Sequence, residues 1–102
     1  KSKYVNIEKL KISIRDLNKN DIKERKLPNN TSGVIITEIF EGSPLVFVSV
    51  GDVIVELQKK KIASSNQFLK IIEETIKKGK KTLYLAIYNL ENQRSYITVK
   101  LK

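Results

Sequence analysis

Apolar and polar residues alternate in several short stretches of the chain. Leu10, Ile12 and Ile14 are interleaved with Lys11, Ser13 and Arg15. A period of two buries one face and wets the other, which predicts a strand. Tyr4, Val5 and Ile7 predict a shorter strand before it. Residues 34–39 are apolar at consecutive positions, as expected of a central strand, and residues 53–57 predict another. Late in the chain Leu83, Leu85 and Ile87 alternate, then Ile97, Val99 and Leu101, with residues 89–93 as a hairpin loop. The period changes once. Phe68, Ile72 and Ile76 recur at intervals of four, joined by Leu69 and Ile71, which predicts a helix. Ser64 is placed as its N-cap, Gln67 completes a capping box, and Gly79 closes it. Polar residues 18–26 predict a short helix capped by Asn18 or Asn20.

Turn residues divide these stretches. Residues 28–33 are a loop, and Gly42-Ser43-Pro44, Gly51-Asp52 and residues 58–61 are turns. Residues 45–50 are apolar but too short for a period to be read. The tally is five or six strands, one long helix and one short one, with no repeat and no linker. Strands outnumber helices and do not alternate with them. The predicted class is α+β, a strongly bent antiparallel sheet or partial barrel capped by helices.

The 102 residues suit a single domain. With no His and no Cys, the chain cannot form a Ser–His–Asp or Cys–His site, a Cys/His zinc site or a disulfide. A Ser–Lys dyad is compatible with the composition, and Ser13, Ser43 or Ser64 could serve, but no motif supports one. No metal or cofactor is expected. No apolar run approaches the ~20 residues of a membrane span, and no signal-peptide pattern is present. The chain opens at Lys1, as a fragment or processed product would.

Lys and Arg number 20 and Asp and Glu 11, a net charge of +9. Such a charge suits nucleic acid, an anionic membrane or acidic peptides. Arg, the usual bidentate phosphate and guanine ligand, occurs only at positions 15, 25 and 94. The lysines are spread over several segments, so solvated surface is the favoured reading and a polyanion site the alternative.

The order of segments resembles a PDZ domain, of the kind that follows the protease domain in bacterial HtrA/Deg (protease Do) serine endopeptidases. Residues 10–18, Gly33-Val34-Ile35-Ile36-Thr37-Glu38-Ile39, Glu41-Gly42-Ser43-Pro44 and Gly51-Asp52-Val53-Ile54-Val55-Glu56-Leu57 carry the resemblance, with residues 64–72 and the last hairpin. It covers residues 8–102 and is nearest to a second, C-terminal PDZ domain; residues 1–7 would be a linker or a first strand. The resemblance implies a non-catalytic module that binds C-termini or hydrophobic segments of substrate proteins. They would enter by β-augmentation between strand 10–17 and helix 65–78. It also implies a role in oligomer assembly, an upstream trypsin-like domain and a periplasmic location. PDZ domains of other bacterial proteases and of secretion proteins are alternatives.

Carried over by position, Leu10, Lys11 and Ile12 would form the carboxylate loop and start the edge strand. Ile12 and Ile14 would face the groove from the sheet, Ile36 would floor it, and Ser65, Leu69 and Ile72 would face it from the helix. Phe68, Ile71 and Ile76 would face the core. Lys11 stands where the family usually has Gly. It would either offer a cation to the peptide carboxylate or reshape the loop and close the groove. Residues 45–50 are about two residues shorter than the family's helical turn. Leu45, Val46, Phe47 and Val48 are therefore candidates for contact with another domain or subunit.

Overall fold

The computed structural model describes residues 4–101. In chain order the elements are β1 (Val5–Ile7), β2 (Ile12–Asp16), α1 (Lys19–Arg25), β3 (Val34–Ile39), β4 (Val53–Leu57), β5 (Lys60–Lys61), α2 (Ser65–Lys77), β6 (Thr82–Tyr88) and β7 (Arg94–Lys100). All strand pairings are antiparallel, in the order β1-β2-β3-β4-β6-β7, with β5 paired to β4. The sheet has seven strands among the described residues rather than five or six. The extra strand is β5, whose two residues are too short to show a period.

Two bulges bend the sheet. Between β2 and β3 the register shifts after Ser13, and between β4 and β6 after Ile54. A bulge adds twist and re-aims side chains. The first three residues of β2 and of β4 are all buried, where strict alternation predicts one in two, because each strand is covered on both faces. The larger core lies between one sheet face and α2, with Phe68, Ile72, Ile12, Ile14, Ile54 and Leu83 fully buried. A smaller cluster on the opposite face holds Leu27, Ile35, Val53, Val55 and Ala86, covered in part by Ile22 of α1.

The helix ends follow local chemistry. Ser64 Oγ accepts from the Gln67 N–H at 3.1 Å, but Gln67 Oε1 reaches past the cap to the Ala63 N–H at 2.6 Å. At the far end Gly79 has φ +77°; its N–H donates to the Ile76 carbonyl and that of Lys80 to the Thr75 carbonyl. This pair of bonds is a Schellman closure. In α1, Asn18 and Asp21 cap reciprocally, each backbone N–H donating to the other's side chain at 2.8 Å. At the β4–β5 turn Gln58 and Lys59 both have positive φ, +54° and +66°. That is the geometry of a type I′ hairpin, here adopted without Gly.

Asp21 also carries a bidentate ion pair with Arg15, at 2.8 and 2.9 Å. The Arg15 guanidinium, helped by the Asn18 N–H, holds the Asp21 carboxyl below its ordinary value. A carboxylate depressed in the folded state stabilises above its unfolded pKa of ~3.9, and that stability is lost as pH falls through the folded value. Burial pushes the Asp52 carboxyl the other way, so its protonation favours the folded state on acidification. Asp21→Asn should therefore destabilise the chain at neutral pH and converge with the wild type in acid. Urea titrations at the two pH values check this, and a constant difference would exclude the ion pair as the cause.

Candidate functional site

The cleft between β2 and α2 is where an extended segment could add to the sheet. Ile12 and Ile14 of β2 face it, Ile36 comes from the next strand, and Ile72 comes from α2; all four belong to the main core cluster, with Leu69 packed against it. Leu10 is fully buried beneath the turn that leads into β2. Ser65 is buried at the first turn of α2. Its N–H donates to Asp16 Oδ1 at 2.6 Å, while its hydroxyl is without a partner among the described residues. Lys11 is exposed, outside the cleft, with its side chain lying over Gly42. Six of the eight candidate groove residues thus meet around one core, Ser65 anchors the helix to the end of β2, and Lys11 points elsewhere.

The cleft is already occupied by the chain itself. β1 runs antiparallel along the edge of β2, pairing Val5 with Ile14, Asn6 with Ser13 and Ile7 with Ile12. Paired residues share a face, so Val5 and Ile7 lie on the same side as Ile14 and Ile12. Ile7 is 1% exposed and part of the main core; Val5 packs against it. On the other face the Ser13 hydroxyl donates to the Asn6 side chain.

The turn from β1 to β2 consumes the donors that a carboxylate would need. The Leu10 N–H donates to the Ile7 carbonyl at 3.0 Å and the Lys11 N–H to the Glu8 carbonyl at 3.2 Å. Lys11 has φ +51°, the left-handed backbone that Gly adopts at least strain. The loop therefore keeps its sharp turn without Gly. It is held from outside as well: Phe40 N–H donates to the Lys11 carbonyl at 2.8 Å and Ser43 Oγ to the Leu10 carbonyl at 2.6 Å.

The segment after Pro44 separates into two kinds of residue. Leu45 is 3% exposed and joins the core, and Val48 packs on it. Leu45 is therefore not available for an external contact. Val46 and Phe47 are 72% and 83% exposed. No helix forms there, and Gly51, with φ +98°, closes the segment by donating to the Ile36 carbonyl at 2.8 Å.

No family model matches the sequence, and no curated protein matches it. Among solved structures, a crystal structure of the HtrA3 PDZ domain bound to a phage-derived ligand (FGRWV) is similar, with a TM-score of 0.67 at 18% sequence identity. The likeness covers 100% of this chain and 88% of that one. The fold is that of a PDZ domain. PDZ domains add an extended peptide to an exposed sheet edge. In this chain β1 lies along the edge of β2, with Ile7 ending the run beside the turn. Val5, Asn6 and Ile7 border the candidate site, and sequence reasoning did not place them there. Their alternation marks a strand, and the pattern carries no sign of which strand receives it.

Proposed function

We propose that this chain is a non-catalytic PDZ interaction module of a bacterial HtrA/Deg-like serine protease, periplasmic, with its peptide groove held closed by its own first strand. The observation that carries this reading is the antiparallel pairing of Val5–Ile7 with β2, beside α2, with Ile7 buried. A groove that accepts an aliphatic strand in cis has the chemistry to accept one in trans. The tethered strand has the advantage, because a short linker gives it an effective concentration of order mM. Substrate C-termini or hydrophobic segments then enter only when β1 leaves. The resemblance of Gly42-Ser43-Pro44 and of residues 51–57 to HtrA/Deg modules supports the parentage. The exposed Val46 and Phe47 support a contact with the protease domain of the same parent chain.

The test is a titration with peptides ending in an aliphatic residue, beside the same peptides amidated. The intact chain should bind weakly. Val5→Asp combined with Asn6→Gly loosens β1 while leaving Ile7 in place, and should bind the free-carboxylate peptide about tenfold tighter or better. Circular dichroism establishes that the variant is folded. Equal affinity of intact chain and variant would show that β1 is no plug. No binding by a folded variant would remove peptide capture and leave assembly as the role.

A further inference from the structure

Beyond the closed end of the groove lies a second cleft, of about 600 Å³. That volume is typical of ligand sites, which run to ~300–1,000 Å³. Lys9, Lys11, Lys80, Lys81 and Lys100 line it, with Glu8 as the only acidic residue around it among the described residues. Five positive groups less one negative leave a local charge of +4. Pro44, Ile76 and Leu101 contribute apolar wall.

Four distant segments make this cleft, and three of them supply its lysines. The β1–β2 turn brings Lys9 and Lys11, and the bond from Ser43 Oγ to the Leu10 carbonyl holds Pro44 beside them. The Schellman turn at Gly79 directs Lys80 and Lys81 away from α2. The register of β6 with β7 pairs Thr82 with Lys100 and so returns the chain to the same place. Leu101 N–H then donates to the Lys81 carbonyl at 2.6 Å. Among the described residues the two ion pairs are Arg15–Asp21 and Arg94–Glu56, so no carboxylate within 4.0 Å neutralises a lysine of the cleft. Like charges gathered round an apolar concavity focus the field into it.

We propose that this cleft binds an acidic peptide segment carrying an aliphatic side chain, with no need for a free C-terminus. The ammonium groups would meet the carboxylates and the apolar wall the aliphatic group. Among the described residues, those around the cleft include no aromatic ring on which a base could stack and no Arg to grip a phosphate, which disfavours nucleic acid. Its concavity fits a chain rather than a flat lipid surface. The proposal stands apart from the groove reading, since β1 need not move.

The probe is a fluorescent peptide of alternating Glu and Leu, acetylated and amidated so that it has no terminal carboxylate. A Gln-for-Glu peptide is the neutral control. Lys80→Gln, Lys81→Gln and Lys100→Gln together should weaken binding about tenfold or more at low salt. Lys59→Gln, Lys60→Gln and Lys61→Gln make the same change in net charge at the other end of α2. The 13 residues of α2 separate the two groups by about 20 Å. This second variant should change binding less than about twofold. Equal weakening by both would reduce the effect to net charge and overturn the proposal. So would tight binding of the Gln peptide. Cleft-dependent binding of single-stranded DNA or phosphatidylglycerol vesicles, with none of the Glu peptide, would also overturn it.

Discussion

Gly33→Ala should remove about 4 kcal/mol or more of folding stability, at the top of the range for single substitutions. Gly33 precedes β3 and has φ +154°. A Cβ there would lie 2.2 Å from the Ile54 carbonyl oxygen and 3.1 Å from its carbon. Those atoms are backbone of β4, and β4 is the strand to which β3 pairs through Val34 and Ile54. A flexible side chain could swing aside, but a central strand cannot without breaking its own pairings. The Gly33 carbonyl is committed as well, accepting the Leu17 N–H at 3.0 Å. Small domains have only ~5–15 kcal/mol in total, so the variant should unfold at markedly lower temperature or fail to fold. Thermal unfolding followed by circular dichroism measures this. A loss below about 1 kcal/mol would mean that β3 and β4 are farther apart than described here.

Phe68→Ala should destabilise by about 3–5 kcal/mol, whereas Phe47→Ala should stay within about 0.5 kcal/mol of the wild type. Phe68 is fully buried, between α2 and the sheet, in the cluster that also holds Ile7, Ile12 and Ile14. Its removal takes away transfer free energy and leaves a cavity where close-packed neighbours cannot fully collapse. Phe47 stands out into solvent and has little packing to lose. Urea unfolding of the two variants gives the contrast directly. A shared loss would mean that residues 45–50 pack inward as a whole. If Phe47 meets another domain, its substitution should instead weaken that association and leave the isolated chain's stability unchanged.

Several parts of the fold are legible in the chain because their causes are local. The alternation in β2, β6 and β7, the four-residue interval in α2, and the residues Asn18, Ser64 and Gly79 at helix ends each act within a few positions. The bulges are not legible in this way. Nor is burial on two sides: strict alternation would bury one residue in two, yet Val53, Ile54 and Val55 are all enclosed, because an apolar cluster covers each face of the sheet. The groove walls illustrate the same division. Ile12, Ile14, Ile36 and Ile72 read equally well as core and as pocket, and apolar character does not separate the two.

The chain's own pattern determined an antiparallel α+β domain with one amphipathic helix, a strand at the very start, and no imidazole or thiol for catalysis. Tertiary structure alone decided that this first strand lies against β2 beside α2, that Leu45 turns in while Phe47 turns out, and that lysines from three segments share one cleft. Periodicity reports which side of an element is dry. It carries no information about which neighbour keeps it dry, because that is settled by register and by turns acting between residues far apart in the chain.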